Sequence, residues 1–207
     1  MKIKIVVQLR GERIQGRKGE QMGKRVCPWW LGSLLASRVR RWIQGDPEQL
    51  LLPYLREGMT VLEPGPGMGF FTLPLARMVG PNGRVIAVEV QPRMLDGMRK
   101  RLAKAGLSER VDGRLAKSDA MGVADLAGTV DFTLAFAVVH ELPSAERFFV
   151  EVVQASKPGA SVLFVEPSGH VKASEFESEL EAASQAHFAV SEGPRIQRSR
   201  TAVLRKT

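Results

Sequence analysis

The chain is short of several chemistries. It has one cysteine, Cys27, among 207 residues, which excludes an intramolecular disulfide and a cysteine-rich zinc site. It has one tyrosine, Tyr54, and three histidines, His140, His170 and His187, with no metal-ligand spacing, so no metal site is expected. No apolar run approaches the roughly 20 residues that span a bilayer, so no membrane span is expected. Internal repeats and low-complexity blocks are also missing. Apolar residues make up 44%, which suffices for a sizeable core without covalent staples.

The net charge of +8 is unevenly placed. Residues 1–26 carry eight basic and two acidic side chains, leaving 22 basic and 20 acidic for the rest. The basicity is therefore a property of a tail, and the remaining body is close to neutral. Such a tail is either a poorly ordered, solvated terminus or an arm for nucleic acid or anionic lipid. Its apolar stretch is short and broken by Lys4 and Gln8, unlike a secretory signal. It has no serine and two glutamates, unlike a transit peptide. A cytoplasmic protein is the expectation.

Residues 27–58 read as N-terminal helices that cover a pocket. Leu34, Leu35, Val39 and Trp42 recur at helical spacing, and Asp46-Pro47 starts a second helix carrying Leu50, Leu51 and Leu55. Trp29 and Trp30 either stack an aromatic acceptor or anchor the first helix, and Cys27 reads as a small buried hydrophobe.

From residue 59 strands and helices alternate. Strands are expected at Met59 to Leu62, Arg84 to Val88, Arg110 to Leu115, Val130 to Val138 and Ser161 to Val165. A terminal hairpin is expected from His187 to Val190 and Ala202 to Leu204. Helical patterns lie around Met94 to Ala105, around Phe148 to Val153 (closed by Lys157-Pro158-Gly159) and from Ser174 to Ser184, where Ser174 and Glu177 have capping-box spacing. The order predicts an α/β doubly wound sheet that binds its ligand at the carboxyl ends of the strands.

The decisive segment is VLEPGPGMGFF, residues 61–71. A strand ends at Glu63, a turn with Gly65, Gly67 and Gly69 follows, and a helix begins. The segment lacks the lysine of a phosphate-binding Walker loop. Counted from Gly65, a dinucleotide fingerprint needs a glycine at position 70, which is Phe70. An acid two residues before the first glycine repels a pyrophosphate but suits a cation. S-adenosylmethionine is such a ligand, with an ammonium, a sulfonium and no phosphate. The next strand ends in Glu89, placed to accept both hydroxyls of a ribose. After the third strand comes Ser118-Asp119-Ala120, where Asp119 either accepts from an adenine amino group or caps a helix.

With these residues in place, 59–166 resembles the class I S-adenosylmethionine-dependent methyltransferases. The match is VLEPGPGMG, VIAVE, SDA and SKPGASVLFVE, and AFAVVHELP (135–143) is similar to the small-molecule branch containing quinone-biosynthesis enzymes. The resemblance implies a Rossmann-like seven-stranded sheet over 59–207, ordered 3-2-1-4-5-7-6 with the last strand antiparallel and helices on both faces. It implies that Glu63 and the Gly65, Pro66 and Gly67 backbone, within the turn closed by Gly69, hold the methionine part. Glu89 would hold the ribose, Val90 would lie against the adenine, Asp119 and Ala120 would read its edge, and Phe136 would line the methyl-bearing side. Glu63 and Glu89 stand where many relatives have aspartate.

The function implied is in-line methyl transfer to a small-molecule acceptor. His140 is the candidate base; alternatively it caps the strand end, with Glu141 fixing its tautomer. Base-modifying nucleic-acid enzymes carry an Asp/Asn-Pro-Pro-Tyr/Phe loop where this chain has AFAVVHELP, and arsenite enzymes depend on several cysteines. Both features point away from those substrates. A cofactor-binding regulatory protein on the same fold, and a nucleic-acid methyltransferase guided by the basic tail, are the competing readings. The oligomeric state has no signature in the sequence.

Overall fold

The computed structural model describes residues 46–117 and 120–207. The basic tail 1–26, Cys27, Trp29, Trp30, the first expected helix and Asp119 lie outside them.

Seven strands form one sheet: β1 (Thr60–Pro64), β2 (Arg84–Glu89), β3 (Val111–Leu115), β4 (Val130–Phe136), β5 (Ser156–Pro167), β6 (Phe188–Glu192) and β7 (Ser199–Lys206). Their order is β3-β2-β1-β4-β5-β7-β6. The first five pair in parallel, and β7 runs antiparallel to both β5 and β6. This is the expected topology, including the terminal hairpin.

Among the described residues five α-helices cover the sheet: α1 (Pro47–Leu51), α2 (Thr72–Met78), α3 (Pro92–Ala105), α4 (Ala145–Ala155) and α5 (Ala173–Gln185). Alternation along the central strands sends residues to two cores. Val61, Val85, Phe132 and Leu163 pack with α1, α2 and α3, through Leu51, Leu75 and Met98. Leu62, Ile86, Val162 and Phe164 pack with α4 and α5, through Phe149 and Phe176. Strands apolar on both faces thus read as continuous apolar runs.

Local signals fixed most element ends. The Asp46 side chain accepts from the Glu48 N–H at 3.1 Å, starting α1 as expected. That helix stops at Leu52 rather than near Gly58, because Pro53 has no N–H to continue it. Helix α3 begins with Pro92 and ends at Gly106, whose φ of 67° suits a left-handed cap.

Two expected boundaries are corrected. Lys157-Pro158-Gly159 does not close a helix; it lies inside β5. There the register jumps from Val130↔Ser156 to Phe132↔Ser161, and Gly159 has a φ of 74°. The segment is a bulge, held by an ion pair between Lys157 Nζ and Asp131 Oδ1 at 2.5 Å. Nor do Ser174 and Glu177 form a capping box. Helix α5 starts earlier, with Lys172 as its N-cap, and Glu175 accepts from the Lys172 N–H at 2.8 Å.

The turn after β1 needs glycine for two different reasons. Gly65 and Gly67 have φ of 66° and 56°, which costs an L-residue about 1–2 kcal/mol. A Cβ on Gly65 would also lie 2.8 Å from Val138 Cγ2, whereas one on Gly67 would meet open space. Gly65→Ala is therefore expected to lose more stability in urea unfolding than Gly67→Ala, by the overpacking increment of roughly 1–3 kcal/mol. Equal losses would show that the turn relaxes around Val138.

Candidate active site

The parallel register sets two buried acids side by side at the carboxyl edge. Glu63 sits opposite Ala87 near the end of β1, and Glu89 is the last residue of β2. Both are buried, at 3% and 5% exposure. Thr72, at the start of α2, donates its hydroxyl to Glu63 Oε2 at 2.6 Å. Thr72 was not singled out in the sequence; its position as first residue of the helix after the glycine turn is the signal that could have found it.

Glu89 gathers the backbone around it. Its Oε2 accepts from the Gly67 N–H at 3.0 Å, and its Oε1 accepts from the Val90 and Gln91 N–H groups at 2.8 and 2.9 Å. Burial pushes its pKa up, and these three bonds work in the opposite direction. The carboxylate ties the glycine turn to the start of α3. A carboxylate has about four acceptor sites, so three amides leave room for a hydroxyl donor.

The turn is fastened elsewhere as well. The Gly65 N–H donates to the Val88 carbonyl at 2.9 Å, and the Gly69 N–H to that of Pro66 at 2.9 Å. Arg101 of α3 donates to the Met68 carbonyl at 2.7 Å. Around this turn lie Val90, 39% exposed beside Glu89, and Phe136, buried with its ring 4.6 Å from that of Phe71. Ala120 forms an isolated bridge with Lys117 beyond β3. The structure thus groups Glu63, Gly65, Pro66, Gly67, Gly69, Glu89 and Val90 about one turn, with Phe136 on the next strand.

Beyond β4 the backbone bends sharply. Ala137 has a φ of 55°, unusual for a residue with a Cβ, and its N–H donates to the Val165 carbonyl at 2.7 Å. A 3₁₀ turn of Val139, His140 and Glu141 follows. His140 Nδ1 lies 2.5 Å from Glu166 Oε2, and Glu166 Oε1 accepts from the Val139 and His140 N–H groups at 2.8 and 3.3 Å. The carboxylate bonded to the His140 ring is therefore that of Glu166, not Glu141. Glu166 is fully buried near the end of β5, inside the motif SKPGASVLFVE; an acid at that strand end was its sequence signal.

Burial lowers the His140 pKa, but the Glu166 hydrogen bond and charge, with Glu141 and Glu179, outweigh it and leave it raised. Glu179 of α5 is pushed up to about 7, first by burial, then by the charge of Glu166, with Glu175 adding and His140 opposing. Its Oε2 is buried and has no hydrogen-bond partner among the described residues.

Comparison with known proteins now places the chain. A methyltransferase-domain family model matches residues 55–202. The chain belongs to the class I S-adenosylmethionine-dependent methyltransferases. An S-adenosylmethionine-dependent methyltransferase from Aquifex aeolicus superposes with a TM-score of 0.76 at 26% identity, covering 88% of this chain and all of the other. An arsenite methyltransferase from Halobacterium salinarum is 35% identical over 105 residues, 51% of this chain and 26% of that protein. A ubiquinone/menaquinone biosynthesis C-methyltransferase from Klebsiella pneumoniae is 30% identical over 113 residues, 54% of this chain and 44% of that protein. The chain thus spans less than half the length of these two curated relatives.

The residues of this methyltransferase fit the family's cofactor. Two buried carboxylates suit a cationic, phosphate-free ligand, and no described residue lies over Gly67 to keep a ligand from the turn. No helix among the described residues is long and apolar enough to cross a membrane.

Two titrations here carry a sign. A carboxyl whose folded pKa is raised binds more protons when folded than when unfolded. Glu179 therefore weakens the fold as pH rises from about 4.5 towards 7. His140, also raised, contributes stability that is present below its ordinary value of 6.5 and lost as pH rises through its folded value. Melting temperature should fall between pH 5 and 8. Glu179→Gln should flatten that fall, gaining more at pH 8 than at pH 5. A parallel pair of curves would contradict the raised pKa.

Proposed function

We propose that the protein transfers the methyl group of S-adenosylmethionine to a small-molecule acceptor in the cytoplasm. The observation that carries this is the pairing of buried Glu63 and Glu89 about a glycine turn that, among the described residues, is open at Gly67. Bound there, the cofactor would supply a methyl carbon on a sulfonium, with a neutral thioether as leaving group. The protein's part is alignment and exclusion of water.

Each residue then has a task. Glu63 and the backbone of Gly65, Pro66 and Gly67 take the amino-acid end, opposite charge meeting the ammonium. Glu89 accepts a ribose hydroxyl at its remaining acceptor site, holding the turn by its three amides while doing so. Val90 supplies an apolar face for the adenine, and Asp119 with Ala120 meets its edge. Phe136 walls the side towards which the methyl group projects. His140 takes the acceptor's proton.

A small acceptor is supported by what the chain carries after β4. AFAVVHELP has no Asp/Asn-Pro-Pro-Tyr/Phe element, and the part of the chain beyond residue 26 is nearly neutral. Cys27 alone cannot furnish several thiolates for arsenite. The quinone-biosynthesis relative makes an aromatic acceptor the natural starting point.

A ligand that binds only the folded state stabilises it by about 2.7 kcal/mol at a hundred times its Kd. S-adenosylmethionine at millimolar concentration should therefore raise the melting temperature. Glu89→Ala, which strips the partner from three amides, should abolish the rise. Incubation with methyl-labelled cofactor and a metabolite extract should then label a small product. No thermal shift at all contradicts the cofactor assignment; a shift without any labelled product favours a cofactor-binding regulatory protein. Labelling of RNA or DNA that is lost on deleting residues 1–26 favours the tail-guided reading.

A further inference from the structure

Helix α3 grips the glycine turn through contacts that cofactor binding by Glu63 and Glu89 does not call on. Two methionines and two glycines interlock there. Met68 of the turn lies over Gly97, in the interior of α3: a Cβ on Gly97 would stand 3.1 Å from Met68 Cγ and 3.2 Å from its Sδ. In return Met98 of α3 lies over Gly69 of the turn, where a Cβ would stand 2.9 Å from Met98 Cγ. Non-bonded carbons pack best at about 3.5–4.0 Å. Each glycine therefore leaves the space that the other element's methionine fills.

Met98 reaches further. It is fully buried, and a Cβ on Gly113 of β3 would stand 3.2 Å from its Cε. Its Sδ lies 3.5 Å from the Thr72 hydroxyl, which donates to Glu63. Arg101 comes one helical turn after Gly97, on the same face of α3, and donates Nη1 to the Met68 carbonyl at 2.7 Å. Its guanidinium is half-buried and has no carboxylate partner among the described residues. A cation kept from water without an anion is unfavourable, and a helix interior prefers alanine to glycine. The stability of α3 alone explains neither Gly97 nor Arg101.

We propose that Met68, Gly97 and Arg101 are positioning residues that fix the glycine turn on α3 in the shape that receives the cofactor, and so set cofactor affinity. The proposal rests on the methyltransferase reading above and assigns further residues to the same site. Glu89 fixes the near part of the turn, joining the Gly67 N–H to the start of α3. The interlock fixes the far part. Met68 is held by its side chain at Gly97 and by its carbonyl at Arg101, and Gly69 is held by Met98. A turn loose at that end would lose conformational freedom when the cofactor binds. A turn held at both ends meets the ligand preformed, and less of the interaction energy is lost to ordering.

A double-mutant cycle in the unliganded full chain tests the interlock. Alanine is the better helix former, so Gly97→Ala raises the melting temperature wherever nothing obstructs the new methyl group. It should do so in a Met68→Ala background and fail to do so with Met68 present. The same shift in both backgrounds overturns the interlock. Arg101→Met keeps an unbranched side chain and loses the donors. Amide exchange at Gly67 and Gly69, whose N–H groups bond to Glu89 and Pro66, should then quicken relative to the β4 amides. The Kd for S-adenosylmethionine, measured by calorimetry, should rise about tenfold, within the range for coupled neighbours. Arg101→Lys, which keeps a donor, should recover most of the affinity. A lower melting temperature in Arg101→Met with an unchanged Kd would make the residue merely structural and overturn the proposal. So would a loss of affinity that Arg101→Lys does not relieve. Wild-type protein that binds no S-adenosylmethionine refutes the methyltransferase reading instead, and the cycle and the exchange rates still decide whether the turn is interlocked.

Discussion

The site depends on one carboxylate. Glu89 ends β2 and accepts from Gly67, Val90 and Gln91, three amides belonging to a turn and a helix start. Turn amides left unbonded in a buried place are costly. The acid meets them, and it thereby holds the glycine turn against the edge of β2. Its partner Glu63 is fixed by Thr72 across the same turn. Two buried anions are unfavourable neighbours unless something polar or cationic meets them. The protein's own donors meet part of that demand, and the proposed positively charged nucleoside would meet more of it.

The same economy appears at the other end of the edge. The left-handed Ala137 and the 3₁₀ turn after it bring the Val139 and His140 amides onto Glu166, as the glycine turn brings Gly67 onto Glu89. In both places an acid near a strand's carboxyl end organises the loop that follows a strand. At β2 the organised loop is the glycine turn proposed to meet the cofactor; at β5 it carries an imidazole. Val138 joins the two, packed on Gly65. The loops that follow the adjacent strands β1 and β4 thus meet at one side chain.

Much of this was legible in the amino-acid order. Continuous apolar runs gave the central strands, and the glycine turn preceded by Glu63 pointed away from phosphate ligands before any geometry was known. What could not be read depended on long-range pairing. Glu141 is the nearest acid to His140 in sequence, but a 3₁₀ turn leaves the ring facing Glu166, 26 residues on. Glu179 reads as an ordinary surface residue of an amphipathic helix until α5 is laid against the sheet. Lys157-Pro158-Gly159 looks like a helix stop, because proline and glycine punctuate helices and bulges alike. By residue type Ser174 is a better N-cap for α5 than Lys172, but Glu175 overrides that preference from within the first turn.

The account stands on the claim that the paired acids of β1 and β2 receive a cationic adenosyl compound. A crystal structure of the protein with S-adenosylmethionine tests this most directly. A ribose hydroxyl should lie on Glu89 and the ammonium end beside Glu63, with the ligand passing over Gly67. An adenosyl ligand found away from this edge, or one whose ribose leaves Glu89 uncontacted, would contradict it.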